Sequence, residues 1–145
     1  MTLRPGERLV IDASVAVKWV VPEPDSDRAE VLLDHRMVAP DLLLAECANV
    51  LWKKVRRGEL TEREADIAAQ TLEQADLTLV STRGYLALAT SVAVELDHPA
   101  YDAVYLTVAE ASELRLVTAD DKLVRKVREG QNRFRHMLVA LSELA

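Results

Sequence analysis

The chain has 145 residues, half of them hydrophobic and only 4% aromatic, which predicts a single domain over residues 1–145 with a mainly aliphatic core. Its single cysteine, Cys47, excludes an intrachain disulfide and any site built from several thiolates. The net charge of −6 excludes a protein whose whole surface is basic, so any binding of nucleic acid requires a local basic patch.

Apolar runs of strand length alternate with longer stretches of helical periodicity. Pro22 stops the first helix, and Gly58 follows the end of a later one. Pro40 suits the first position of a helix, and the residues TERE at 61–64 form a capping box. In chain order the predicted elements are strand 8–12, helix 14–21, helix 25–35, strand 37–39, helix 40–57, helix 61–75, strand 77–80, helix 85–96, helix 101–114, strand 115–118, helix 120–129 and an edge strand within 136–141.

This order of elements predicts an α/β fold in which a parallel sheet of four to five strands is covered by helices on both faces. No apolar run reaches the length of a membrane span, and the first residues lack the apolar core of a signal peptide. We therefore expect a cytoplasmic protein with no membrane partner.

Two predicted strands end at acidic residues. Asp12 follows the strand RLVI, and Asp120 follows the strand RLVT with Asp121 directly after it. Ligands of doubly wound folds bind at the carboxyl edge of the sheet, and these strands deliver their acids to that edge. The alternative for each acid is an ordinary N-cap of the helix that follows.

Two further acids lie on helix faces that are otherwise apolar. Leucine and valine side chains lie one turn from Glu46, and Tyr105 and Leu106 lie one turn from Asp102. A carboxylate on such a face is costly unless it is paired or bound to a cation. The structural alternative for Glu46 is an ion pair with Lys53, and that for Asp102 is a first-turn acid favoured by the helix dipole.

The combination of the four acids favours a cation site. Carboxylates that converge from two strand ends and two helix faces need a hard divalent cation, and ligation by oxygen alone suits Mg²⁺ or Mn²⁺ better than zinc. A nucleotide-binding enzyme is excluded, because the four glycines are too scattered to form a phosphate-binding loop.

The segments VIDASVAVKW, LLLAECANVLWK, HPAYDAVYLTVAE and LRLVTADDKL resemble, in order, the four signature blocks of the PIN-domain family. The resemblance implies that the catalytic, metal-binding residues are Asp12, Glu46, Asp102 and Asp120. It also implies that Ser14 and Thr118, through their hydroxyls, and Asn49, through its amide, orient those carboxylates or a bound water. Asp121 occupies a variable position of the family pattern and is a candidate for a ligand that acts through water.

The same resemblance implies an endoribonuclease that hydrolyses RNA phosphodiester bonds with Mg²⁺ or Mn²⁺ as cofactor. A compact chain without appended RNA-binding modules resembles the VapC toxins of type II toxin-antitoxin pairs. This implies a homodimer and a VapB-type antitoxin whose C-terminal segment lies across the active site. Three alternatives stay open: a stand-alone PIN nuclease in RNA processing, a catalytically silent PIN-like module and a receiver-like signalling domain that binds Mg²⁺. The last would need a phospho-acceptor Asp after strand 77–80, where Ser81 and Thr82 stand.

Local cations are expected to bind the substrate, since the net charge is negative. The candidates are Lys53, Lys54, Arg56, Arg57, Lys122, Arg125, Lys126 and Arg128. The alternative for both clusters is a solvated helix face. The three histidines, His35, His98 and His136, are expected to be ordinary surface or capping residues.

Overall fold

The computed structural model describes residues 1–144. The strands are β1 (Arg8–Ile11), β2 (Arg36–Pro40), β3 (Leu77–Val80), β4 (Arg115–Thr118) and β5 (Leu138–Ala140). The α-helices are α1 (Ala13–Ala16), α2 (Ser26–Val31), α3 (Leu42–Arg56), α4 (Glu62–Glu73), α5 (Leu86–Leu96), α6 (Ala100–Ser112) and α7 (Asp121–Glu129). Short 3₁₀ helices at Val17–Trp19 and Leu32–Asp34 extend α1 and α2, and a third spans Leu141–Glu143.

The five strands form one parallel sheet in the order β3-β2-β1-β4-β5. Leu9 of the central strand β1 is paired with Met37 of β2 on one side and with Arg115 of β4 on the other. The chain moves outward from β1 to β3 and then returns to the opposite side of β1 with β4. The boundary between β1 and β4 is therefore the switch point of the sheet, where a ligand-binding crevice is expected. The predicted parallel α/β sheet, including its late edge strand, is confirmed.

The central strands are covered on both faces. Leu9, Val10 and Ile11 are successive residues of β1 and are all fully buried, as are Leu116 and Val117 of β4. Because successive side chains of a strand point to opposite faces, this burial requires cover on both sides of the sheet. The prediction of helices on both faces is thereby confirmed.

The prediction that Pro40 begins a helix is wrong, because Pro40 is the last residue of β2 and α3 begins at Leu42. Proline has no N–H to donate to a neighbouring strand. The pairing of β1 with β2 ends at Val38, so position 40 has no partner in β1 that would need such a donor. The next residue, Asp41, donates its backbone N–H to the carbonyl oxygen of Val80 at 2.8 Å.

The predicted capping box of α4 is confirmed by two reciprocal hydrogen bonds. The Thr61 hydroxyl accepts from the Glu64 N–H at 3.1 Å, and the Glu64 carboxylate accepts from the Thr61 N–H at 2.9 Å. Gly58 follows the end of α3 with a left-handed backbone, φ 74°, which glycine adopts without steric cost. In the described part of the chain, no helix is both long and apolar enough to cross a membrane.

Candidate active site

A cavity of about 530 Å³ lies at the carboxyl ends of β1 and β4, the switch point of the sheet. Its walls come from the start of α1, one face of α3, the first turns of α6 and the residue before α7. The four acids that were predicted to share a site all line this cavity: Asp12, Glu46, Asp102 and Asp120. Folding thus brings together carboxylates from four separate segments of the chain.

Asp12 is the most deeply buried of these acids, with 4% of its surface exposed. Its Oδ1 accepts a hydrogen bond from the Ser14 hydroxyl at 2.5 Å, and its Oδ2 accepts one from the Thr118 hydroxyl. The Ser14 hydroxyl also accepts from the Ala119 N–H at 2.9 Å, and the Thr118 hydroxyl from the Asp120 N–H at 3.0 Å. The two hydroxyls therefore tie the end of β1 to the end of β4 and orient the Asp12 carboxylate.

Asp12 and Asp120 are also N-caps, as the structural alternative proposed. Asp12 accepts from the Val15 N–H at 3.3 Å, and Asp120 Oδ1 accepts from the N–H groups of Lys122 at 2.9 Å and Leu123 at 3.2 Å. A cap uses only part of the accepting capacity of a carboxylate, which has about four lone-pair directions. Capping and lining the cavity are therefore compatible roles for both residues.

Glu46 is held by a tyrosine, and the alternative of an ion pair with Lys53 does not occur among residues 1–144. The hydroxyl of Tyr105, a residue with 1% of its surface exposed, donates to Glu46 Oε1 at 2.6 Å. Tyr105 was not among the site residues predicted from the sequence. Its only signal was its position one turn after Asp102 on the same helix face.

Asp102 lies in the first turn of α6, and its Oδ2 is 2.6 Å from His98 Nε2. The prediction that His98 is an ordinary surface or capping residue is therefore wrong, because it contacts a site carboxylate. His35 does fit that description, since its Nδ1 is 3.0 Å from the carbonyl oxygen of Glu7. The available signal for His98 was its spacing of four residues from Asp102.

Burial and mutual repulsion raise the pKa of three of the acids. Burial raises the pKa of Asp12 to about 7 against the effect of its hydroxyl hydrogen bonds, and the charge of Asp102 raises it further. Burial also raises the pKa of Glu46, and the charges of Asp102 and Asp120 raise it further. The pKa of Asp102 is raised by burial and by Asp120, against the hydrogen bond from His98. These carboxylates lie close enough to disfavour one another's ionisation, a cost that a bound cation would reduce.

The donor set fits a divalent cation. Within the described chain, Glu46, Asp102 and Asp120 each have one carboxylate oxygen that makes a hydrogen bond and one that makes none. The cavity therefore offers oxygen donors on carboxylates that are already oriented, which is the chemistry of Mg²⁺ and Mn²⁺ sites. As the side chains stand, residues 1–144 contain no group of three His, Cys, Asp or Glu side chains already closed around one point.

Asn49 and Asp121, two of the predicted supporting residues, make no hydrogen bond to the four acids in the described structure. Asn49 lines the cavity, but it makes no hydrogen bond to the acids in the structure described. Asp121 is exposed and does not line the cavity. It borders a separate cavity of about 280 Å³ that includes Lys18 and Ser142. Asp121 therefore lies outside the cavity that its neighbour Asp120 shares with the other three acids.

The fold and the site together define an α/β domain with an acidic cavity at the switch point of a parallel sheet. A family model for the PIN domain matches residues 9–129, and the chain belongs to the PIN-domain family. This membership confirms the resemblance seen in the four sequence blocks and excludes a receiver-like domain.

The chain is similar to ribonucleases named VapC3 from two organisms. The protein from Pyrobaculum aerophilum is 36% identical over 123 residues, which cover 82% of this chain and 94% of the relative. The protein from Mycobacterium tuberculosis is 34% identical over 125 residues, which cover 83% and 88%. The crystal structure of PAE2754 from Pyrobaculum aerophilum has the same fold, with a TM-score of 0.70 and 24% identity over 94% of this chain and 85% of that one.

Proposed function

We propose that this chain is an endoribonuclease that hydrolyses RNA phosphodiester bonds with Mg²⁺ or Mn²⁺ as cofactor. The observation that carries the proposal is the convergence of Asp12, Glu46, Asp102 and Asp120 on one cavity at the switch point of a PIN-domain sheet. The names of the VapC relatives support RNA as the substrate. We further propose that the whole chain is one PIN domain, because β5, beyond the matched residues, pairs with β4 and completes the sheet.

The four carboxylates would hold the cation through the oxygens that line the cavity. When bound, the cation supplies Lewis-acid chemistry, which activates water and neutralises charge on the phosphate. The chain's own contribution is orientation: Ser14 and Thr118 hold the Asp12 carboxylate, and Tyr105 holds that of Glu46. Carboxylates that are already ordered lose little conformational entropy when they bind a ligand.

We propose that the enzyme acts in the cytoplasm, where its RNA substrates are, as the toxin of a VapBC pair. The support is its likeness to VapC ribonucleases over most of their length. Its partner would be a VapB-type antitoxin whose C-terminal segment covers the acidic cavity. A homodimer belongs to the same proposal, and Leu86 and Val94, exposed apolar side chains about two turns apart on α5, support an interface there.

Expression of the wild-type chain alone in a bacterial host should arrest growth and degrade RNA, and the Asp120→Asn variant should do neither. Asn is as good an N-cap as Asp, so this change should remove a site charge without disturbing the start of α7. Growth curves and RNA gels check both effects. The matched control is Asp66→Asn, which removes an exposed charge on α4 outside the cavity and should arrest growth like the wild type. RNA cleavage by the purified wild type without growth arrest would favour a stand-alone PIN nuclease over a toxin.

Replacing Tyr105 by Phe should lower Mn²⁺ affinity and cleavage by about 10- to 100-fold, the usual cost of removing a group that orients a metal ligand. In the wild type, the hydrogen bond from Tyr105 lowers the pKa of Glu46. Its loss in Tyr105→Phe should raise that pKa, so the acid limb of the pH–rate profile should also move to higher pH. Metal titrations followed by thermal melting and pH–rate profiles measure the two effects. Tyr85→Phe is the control, since its hydroxyl makes no hydrogen bond among residues 1–144. An unchanged profile in Tyr105→Phe would mean that this tyrosine only fills space.

A further inference from the structure

Tyr101 is an exposed aromatic residue at the edge of the acidic cavity. It is 66% exposed, whereas residues 103–109, which follow it in α6, are all buried. Tyr101 lines the cavity together with its neighbour Asp102. Its hydroxyl makes no hydrogen bond to any part of the chain that the structure describes. Packing and hydrogen bonding within the fold therefore give no reason for a large aromatic side chain at this position.

Tyr105, one turn further along α6, shows the contrast. Its ring is buried and its hydroxyl donates to Glu46, so this tyrosine serves the carboxylates from inside the protein. Tyr101 lies on the solvent side of the same cavity, with its ring accessible. An accessible ring beside acids that are proposed to bind metal is in a position to contact the substrate.

Lys53 is the one lysine among the residues that line this cavity. It is exposed and forms no ion pair within residues 1–144, whereas the adjacent Lys54 is paired with Glu23 at 2.8 Å and Glu59 at 3.4 Å. Lys53 follows Glu46 by two turns on the same face of α3, which places it about 10 Å further along the helix. Its ammonium group is therefore available to an anion, and that of Lys54 is already neutralised.

We propose that Tyr101 and Lys53 form a nucleotide subsite beside the four acids, in which an unpaired RNA base stacks on the Tyr101 ring and Lys53 binds a backbone phosphate. The inference rests on the proposed ribonuclease function and assigns two residues that would position an unpaired nucleotide next to the cut. In a duplex each base face is covered by its stacked neighbours, so an aromatic side chain reaches it only where the strand is unpaired. Stacking also suits a protein of net charge −6, because it does not depend on an overall positive field.

The test measures kcat/KM with Mn²⁺ for one labelled RNA oligonucleotide, both single-stranded and annealed to its complement. The wild type should prefer the single strand. Tyr101→Ala should lower kcat/KM for the single strand by about 10- to 100-fold, in line with the measured cost of losing one stacked base. Tyr101→Phe and Tyr101→Trp should both retain activity, because each keeps a ring. The control is Trp52→Ala, which removes an exposed aromatic residue of α3 that does not line the cavity.

The dependence of kcat/KM on salt concentration tests the proposed contact between Lys53 and a phosphate. Each phosphate contact with a single strand contributes about −0.7 to the slope of log affinity against log salt. Lys53→Met should therefore make the slope shallower by about 0.7, a change that a merely structural effect would not produce. Lys54→Met removes the neighbouring, ion-paired lysine and should leave the slope unchanged.

The outcomes separate the subsite from the proposed function. If the wild type cleaves RNA and Tyr101→Ala cleaves the single strand equally well, the subsite is wrong and the ribonuclease stands. The same holds if Tyr101→Ala loses activity that neither Phe nor Trp restores. If Tyr101→Ala keeps its RNA cleavage but no longer binds a co-expressed antitoxin, this surface belongs to the protein partner instead. A folded wild type that cleaves no RNA overturns the function and the subsite together.

Discussion

Asp102→Asn should lower RNA cleavage by about a thousandfold or more, because charge stabilisation by a catalytic metal is worth several kcal/mol and each 1.4 kcal/mol is a factor of ten. The same change should not destabilise the metal-free protein. Burial and the charge of Asp120 raise the pKa of Asp102, so its carboxylate is less favourable in the folded than in the unfolded state. A neutral amide removes that cost and can still form a hydrogen bond with His98.

Thermal melts in EDTA and in Mn²⁺, together with cleavage assays, test both halves of this expectation. At a hundredfold excess over its Kd, the metal should stabilise the wild type by roughly 2.7 kcal/mol, and this gain should shrink in Asp102→Asn. The control is Asp27→Asn, which removes an exposed acid from the first turn of α2, outside the cavity. If Asp102→Asn loses a few kcal/mol in EDTA and keeps its full response to metal, Asp102 is a structural residue and the four-acid site is wrong there.

The metal-free protein should lose stability as the pH rises from 5 to 8. Asp12 has a pKa of about 7 in the folded protein against an ordinary value of 3.8, so the native state keeps a proton that the unfolded chain has released. The resulting stabilisation is fully present below about pH 4 and is lost as the pH rises through 7. For a carboxyl as buried as Asp12, the whole loss is on the order of 4 kcal/mol, of which roughly 3 kcal/mol falls between pH 5 and 8.

Urea unfolding in EDTA across this pH range measures the loss. Asp12→Asn should show a much flatter dependence, because the amide does not titrate and Asn can still cap α1. Adding Mn²⁺ to the wild type at pH 8 should restore stability, since the cation replaces the proton in neutralising the cavity. A wild type whose free energy of unfolding in EDTA stays constant from pH 5 to 8 would show that Asp12 is ionised throughout.

Sequence periodicity was sufficient to locate the five strands of the described chain. Parallel strands buried on both faces are short, continuous aliphatic runs, and RLVI and RLVT are readily recognised as such. Helix ends were harder where no glycine marks them. The helix predicted to reach Leu114 ends at Ser112, because Glu113 adopts a left-handed backbone at φ 55°. The local residue pattern does not predict a left-handed conformation at a glutamate.

The four acids were visible in the sequence because each stands at a strand end or on an apolar helix face, where an unpaired carboxylate is costly. That cost is a local property, so it can be inferred from local sequence. The groups that hold the acids are a different matter. Tyr105 and Glu46 are 59 residues apart, and their hydrogen bond exists only because α3 and α6 line the same cavity.

The basic residues show most clearly what only the tertiary structure decided. From the sequence, Lys53 and Lys54 were both candidates for substrate binding, and Lys53 was also a candidate ion-pair partner of Glu46. Successive residues of a helix point about 100° apart. Lys53 therefore lines the acidic cavity, whereas Lys54 forms ion pairs with Glu23 and Glu59. Composition and periodicity determined the sheet, its helices and the four candidate acids, because these depend on the burial of neighbouring residues. Which cation is free for substrate, and which side chain orients each carboxylate, depends on contacts between distant segments that form only when the chain is folded.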